Sequence, residues 1–482
     1  MSESALSNAN PDPVSRPGWG TKLAYGIGQM VDGIPTGAIE TFLFFYYTQV
    51  LGLSGTLAGL AILIALVFDA ITDPWIGALS DATESRSGRR HPFLFASVVP
   101  LPLCFVALFV PPAELTGPAL FGWLLCFAVG VRLSLTLFSV PHMSLGAELS
   151  EDYAERTRIV ALRLAFGAIG WIAVSGGGFF WFFQASEAFP IGHLDAGRYP
   201  AFATSFAIAI AAAALVSAGG TLAWGRRLGR VVRPHFGARQ LFRAVRRVFA
   251  HAAFRGLVLA GVAASIAVGL RLTLGLHVFT YFWELPPDAV GVVNFVMLGG
   301  LLLGFPLWSA LAEVIDKRRA MIAGLCGLGA AVFAPHALRI ATGWPAADAP
   351  YLVAWVAVMA LLAAVGGTGA QLALASMMAD VTDEHELAHG TREEGLFFGA
   401  LSVVTKSASG LGHQLAGIGL DAIAFPADAA PGSLAPEVVT GLGWLYGAGV
   451  AVGVGLAVFL TARLPLTRAR HAEVRRALDA RG

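Results

Sequence analysis

Charge is what this sequence has least of. Of 482 residues only 13% are charged, against 56% hydrophobic, and the mean hydropathy is +0.70. Water-soluble chains carry about 25% charged residues, so this composition excludes a soluble globular protein and implies a membrane protein. The net charge of +1 decides little, because in a bilayer the placement of charge matters more than its sum. Cysteine is nearly as scarce. Cys104, Cys126 and Cys326 all fall in apolar runs, which excludes a disulfide framework and a Cys-based metal site and leaves small buried hydrophobes as the expectation. The first twenty residues are polar and proline-rich without an apolar core, so they read as a tail rather than a signal peptide.

What the chain has is long apolar segments. Cut at its charge, proline and glycine clusters, it yields twelve stretches near the 20 residues a spanning helix needs: 20–50, 55–80, 92–111, 118–146, 157–184, 200–223, 254–283, 288–312, 320–339, 350–379, 394–424 and 438–463. Of the 32 Lys and Arg residues, 26 lie in the tails and in alternate loops, while the opposite loops hold only Arg198 and Arg339. By the positive-inside rule both termini are cytoplasmic. The longest connector, WGRRLGRVVRPHFGARQLFRAVRRVFA (224–250), contains no acidic residue and is expected to lie on anionic lipid rather than bind nucleic acid. It divides the chain into a tail (1–19), a six-helix bundle (20–223), a central loop (224–253), a second six-helix bundle (254–463) and a second tail (464–482). Asp81 with GRR after the second span is echoed by Asp316 with KRR after the eighth. The sequence thus reads as an all-α membrane protein with twelve transmembrane helices in two bundles, the arrangement of a transporter whose site lies between them.

Eight charges fall inside the spans: Asp32, Glu40, Asp69, Asp73, Arg132, Arg163, Arg271 and Lys406. Each costs about 2.5–3.5 kcal/mol at a helix centre, so each needs a partner or a water-filled cavity; ion pairing alone is one reading and a functional site the other. In FDAITDPWIGALSDATESRSGRR (68–90) Asp69 and Asp73 stand four residues apart, on one helical face with Thr72 beside them. Two carboxylates that close must take up a proton, a metal cation or an ammonium group, and Lys406 can supply the last. Farther along, Gly77 is expected at a close helix approach and Asp81 at the cytoplasmic mouth. Arg89 and Arg90 read equally as topology signals and as gating residues.

These residues carry a family resemblance. The 68–90 stretch, with TKLAYGIGQ, FYYTQVLGLS, SVPHMSLGAELSEDYAERTR and MMADVTDEHELAHGTREEGLFFG, resembles the glycoside-pentoside-hexuronide cation symporters, the melibiose-carrier group of the major facilitator superfamily. The resemblance implies that fold, and transport without catalysis or cofactor. It implies that Asp69, Thr72, Asp73 and Thr136 hold the coupling ion, sodium or a proton, that Lys406 couples, and that Arg163 binds sugar. The acidic residues that grip galactoside hydroxyls in those relatives fall here at Gly33 and Ser139. Asp32 is one residue off, which turns it about 100° around the helix.

Those departures argue against a galactoside. Arg132 and Arg271 with Arg163 suit a carboxylate or phosphate, so a hexuronide-like solute is expected, with Asp32 and Gln371 as further contacts. Sodium-dependent lysophospholipid symporters share the pattern, which keeps an amphiphile as an alternative. His385, Glu386 and His389 also spell H-E-x-x-H, the zinc-protease motif, and a receptor on an inactive transport fold is a third possibility. The expected partners are a small solute, the coupling ion and membrane lipid, with a monomer in the inner membrane.

Overall fold

The computed structural model describes residues 17–150, 152–226, 246, 249–390 and 393–480, and among these every regular element is helical. The N-terminal half comprises α1 (Trp19–Ile27), α2 (Met30–Ala38), α3 (Gly55–Ala82), α4 (His91–Ser97), α5 (Pro100–Phe109), α6 (Gly117–Glu148), α7 (Tyr153–Ser175), α8 (Gly177–Trp181) and α9 (Tyr199–Gly225). The C-terminal half comprises α10 (Ala252–His277), α11 (Pro287–Val314), α12 (Lys317–Thr342), α13 (Leu352–His389), α14 (Glu394–Ala422), α15 (Pro436–Ala462) and α16 (Arg468–Asp479). Among the described residues ten helical stretches are long and apolar enough to cross a membrane. The two expected spans outside that set are 20–50, which is broken, and α14, which carries Lys406, His413 and Gln414 and so has low hydropathy. Most of the expected central loop, residues 227–245 and 247–248, lies outside the described residues, as do residues 1–16 of the first tail.

The first span breaks for identifiable reasons. Pro35 lies inside α2 and has no N–H to continue the ladder. Two π-helical turns follow, Ile39–Leu43 and Tyr46–Val50, and a third, Val278–Phe282, ends α10. Such turns widen a helix by one residue and re-aim its side chains. At Gly28, between α1 and α2, a Cβ would meet Ser217 Oγ at 2.3 Å and His142 Nε2 at 2.5 Å, so only glycine fits.

One antiparallel pair, α3 with α14, joins the halves. Gly55 packs on the Gly417 carbonyl, Gly59 on the His413 carbonyl and Gly410 on Leu63, so the two backbones run in near contact for about two turns. The Asp421 carboxylate then accepts from the amides of Gly55 and Thr56, both at 2.8 Å, capping α3 from the other half. Further ties cluster at the same end: the Tyr281 hydroxyl donates to Gln49 Oε1 (3.1 Å) and to the Ala429 carbonyl (3.0 Å), and His277 meets Thr48 (3.1 Å). His193 meets Thr280 (2.9 Å), while within single halves His91 meets Thr221 (3.0 Å) and His413 meets Thr273 (2.5 Å). These histidines are buried, and each hydroxyl satisfies a ring nitrogen where water is scarce.

Several details differ from the sequence expectation. Cys104 is half-buried, and Cys126 and Cys326 are exposed rather than buried, since a face turned to lipid is as apolar as a core. The second tail contains a helix: α16 is capped by Thr467 and docks on α13 through Arg470 with Glu384 (3.1 Å) and His471 with Asp380 (3.1 Å). Asp316 is not a copy of Asp81. Its carboxylate accepts from the Arg318 amide at 2.8 Å and the Arg468 amide at 2.9 Å, whereas Asp81 pairs with Arg90.

Candidate cation and solute site

Asp69 and Asp73 are one turn apart on α3, Thr136 faces them from α6, and Lys406 reaches them from α14. The Thr136 hydroxyl lies 3.0 Å from Asp69 Oδ1 and 3.0 Å from Asp73 Oδ1, and 3.1 Å from the Arg132 carbonyl. Lys406 Nζ donates to Asp69 Oδ2 at 3.1 Å and to Asp73 Oδ2. Asp69 is nearly closed off, with 7% of its side chain exposed, while Asp73 at 25% and Lys406 at 38% reach an opening. A hydroxyl has one proton, so Thr136 serves one of its three acceptors at a time. With all groups ionised the cluster carries two negative charges and one positive.

Thr72 shares the turn of α3 that carries Asp69 and Asp73. Its hydroxyl donates to the Phe68 carbonyl (3.0 Å) and the Asp69 carbonyl (3.2 Å), the usual resting place of a mid-helix Thr, leaving only lone pairs for a cation. Asp32 accepts from Gln29 Nε2 at 3.2 Å and lies within electrostatic reach of Arg132 and Lys406. Arg163 lies beside the Tyr25 hydroxyl, and Arg271 lies beside the Tyr446 hydroxyl and approaches Met297 Sδ at 3.8 Å; the Nε of each has no partner among the described residues. No described carboxylate stands within ion-pair distance of Arg132, Arg163 or Arg271. Gln371 is exposed, with no hydrogen bond to described residues. At Gly33 a Cβ would meet the Gly167 carbonyl at 2.3 Å, so α2 and α7 cross too closely for an acidic side chain there.

At the other end of α3 the expected gating residues form a network within their own half. Arg90, 3% exposed, pairs with Asp81, bonds Ser80 Oγ (2.9 Å) and reaches Glu148 (3.1 Å), which also holds Arg89 at 2.5 Å. Arg90, which holds Asp81, belongs to the same half. Gly88, at φ +84, stands against the Gly225 carbonyl and needs a left-handed conformation that L side chains rarely adopt. Gly77 is not a close crossing: a Cβ would meet only Val140 Cγ1, at 3.4 Å. The close crossings of α3 are those with α14.

The family model described as MFS/sugar transport protein matches residues 24–468. The chain belongs to this family. It is similar to an uncharacterized symporter of Synechocystis sp., 28% identical over 548 residues and 96% of each chain, and to a putative glycoside/cation symporter of Escherichia coli, 31% identical over 157 residues, 32% of this chain and 34% of that one. A bacterial homologue of the human lysosomal transporter Spinster, solved in an inward-facing, unoccupied conformation, superposes with a TM-score of 0.60 at 16% identity, covering 95% of this chain and 96% of the other. That likeness shows the major facilitator superfamily fold. As a member of the MFS/sugar transport family, the chain is a multi-pass membrane transporter of sugar-like solutes, and not an enzyme. The H-E-x-x-H residues His385 and His389 stack on each other at 4.3 Å, and His385 Nε2 approaches Glu393 at 3.7 Å. Sequence reasoning missed Glu148, which sits in a quoted motif and looks like a loop charge, and Asp421, whose partners are 365 and 366 residues away.

Proposed function

We propose that this transporter is a symporter in the cytoplasmic membrane, with both termini cytoplasmic, in which a sodium ion or a proton at Asp69, Asp73 and Thr136 is coupled to a sugar-like solute by alternating access. The carrying observation is that Lys406 of one half occupies two carboxylates of the other. A cation entering there offsets one of the pair's two negative charges, competes with Lys406 for the carboxylates and loosens one tie between the halves. Coupling is reciprocal: the cation raises solute affinity and the solute raises cation affinity by the same factor.

Charge favours an acidic solute. The four intramembrane acids and four intramembrane bases cancel, the cation adds one positive charge, and a monoanion restores neutrality. An uncompensated charge costs about 2.5–3.5 kcal/mol at mid-membrane, and Arg132, Arg163 and Arg271 have no carboxylate partner among the described residues. A hexuronide satisfies these arginines better than a neutral glycoside does, with Asp32 and Gln371 as further polar contacts. Titrating methyl β-D-glucuronide into the purified protein with and without sodium, from pH 5 to 8, tests the reading. Affinity should rise with sodium or with falling pH in the wild type and lose that dependence in Asp69→Asn. Equal affinity under all conditions sinks symport.

A further inference from the structure

Glu40 is an intramembrane acid that the ion site does not use. It sits in the π-helical turn Ile39–Leu43 that follows α2, and its carboxylate accepts from Trp171 Nε1 at 3.2 Å. Trp171 is held by backbone packing, since a Cβ on Gly37 would meet the Trp171 carbonyl at 2.9 Å. Across the boundary between the halves, Arg271 and Asn294 line the same cavity. The Asn294 amide donates to the Ser175 carbonyl at 2.8 Å, which fixes its orientation. The cavity thus has a carboxylate and an indole on one wall and a guanidinium and an amide on the other, and the acid and the base do not reach ion-pair distance. Arg271 Nε is buried without a partner among the described residues. Groups that opposite walls bring close without joining are suited to a ligand that spans them.

We propose that Glu40, Trp171, Arg271 and Asn294 form a solute site between the halves, built for one sugar-acid ring: Arg271 takes the ring carboxylate, Glu40 accepts from ring hydroxyls, and the Trp171 face covers the apolar C–H face. This rests on the reading of the chain as a symporter of sugar-like solutes, and it names a class and a place within it. The place explains how the sugar is held although Gly33 and Ser139 carry no acid: Glu40 stands seven residues beyond Gly33 on the same span, two helical turns along. A carboxylate–hydroxyl pair and an indole face are general means of holding a pyranose, because the ring presents hydroxyls at its edge and C–H groups on its face. A salt link from Arg271 to the substrate carboxylate is bidentate, which a neutral hexose cannot form. Glu40 lies within a π turn, and π turns recur at functional positions.

Calorimetric titration in nanodiscs with sodium, using methyl β-D-glucuronide and methyl β-D-glucoside as probes, tests the site. Wild type should bind the glucuronide about tenfold or more tightly than the glucoside. Arg271→Gln should abolish that preference, Glu40→Gln should weaken both probes about tenfold, and Trp171→Phe should weaken both while leaving the preference intact. All three variants should keep the sodium-induced rise in thermal midpoint, which shows that they fold and that the ion seat is intact. Wild-type affinity in Glu40→Gln and Arg271→Gln overturns the site and leaves the symporter reading standing; binding of neither probe by wild type overturns the ligand class; no sodium or pH response in wild type sinks the symporter reading instead.

Discussion

Asp421→Asn isolates the tie that closes one end of the molecule. Both carboxylate oxygens of Asp421 accept from the first amides of α3, each at 2.8 Å, where the helix end carries partial positive charge. Asparagine keeps one acceptor oxygen, loses the other, and removes the negative charge. Removing a helix cap costs about 0.5–2 kcal/mol. Asp421 is exposed, so solvent screening holds its share near the middle of that range, about 1 kcal/mol. That energy is present only while the halves are closed at this end, and a difference of 1.4 kcal/mol is a factor of ten, so the open population should rise about fivefold.

Spin labels at Glu114, in a loop of the first half, and Glu437, in the first turn of α15, both exposed and at this end, report the change through their distance distribution after Cys104, Cys126 and Cys326 are replaced. The long-distance population should grow in Asp421→Asn. As a control, Gly417→Val should give a larger increase, because even a Cβ there would meet the Gly55 carbonyl at 2.0 Å. An unchanged distribution in Asp421→Asn alongside a shifted one in Gly417→Val would refute the assignment of closing energy to the cap.

Other perturbations separate the elements of the site. Gly59→Leu pushes against the His413 carbonyl and Gln414 Cα, backbone atoms at 2.8 and 2.9 Å, and should cost about 1–3 kcal/mol of closure, read by the same label pair. Thr136→Val removes an oxygen that both carboxylates share; it should weaken sodium binding about tenfold while sparing a proton, which needs no cage, so parallel titrations with sodium and with pH identify the ion. Tyr25→Phe should release Arg163 and weaken methyl β-D-glucuronide without altering the sodium response, measured by calorimetry. At the membrane edge, burial holds the His251 imidazole below its ordinary 6.5, with Glu384 pulling the other way, and its Nδ1 accepts from the Phe254 amide at 3.4 Å. A base lowered on folding stabilises above its unfolded value and ceases to as pH falls through its folded one, so the first turn of α10 should exchange its amides faster below about pH 6.5, corrected for intrinsic rates.

Much of the site was legible because it is local. Asp69 and Asp73 lie on one helical turn, so their spacing alone placed them together, and the resemblance supplied Thr136 and Lys406, which the structure brings within hydrogen-bond distance. Thr72 shares that turn, yet back-bonding to Phe68 commits its proton elsewhere, an alternative that no spacing rule reports. Gly77 and Gly59 look alike in the sequence, but whether a glycine marks a close crossing depends on what lies opposite, and Gly59 has backbone there. The break in the first span was hidden for a different reason: hydropathy measures composition and is indifferent to the hydrogen-bond register that π turns change. Cys126 and Cys326 were misjudged because an apolar run is read as buried, and in lipid it need not be.

The α3–α14 pair sets a condition on how this carrier can be altered. Gly55 against Gly417, Gly59 against His413, Gly410 against Leu63, and Asp69 with Asp73 against Lys406 form one continuous seam between two helices. The proposed ion seat is therefore the last stitch of the seal itself. Mutations elsewhere in the bundle can change how fast the seam opens or what passes through, but changes along these two helices, or at Thr136 of α6, are the ones expected to make the seam indifferent to the ion.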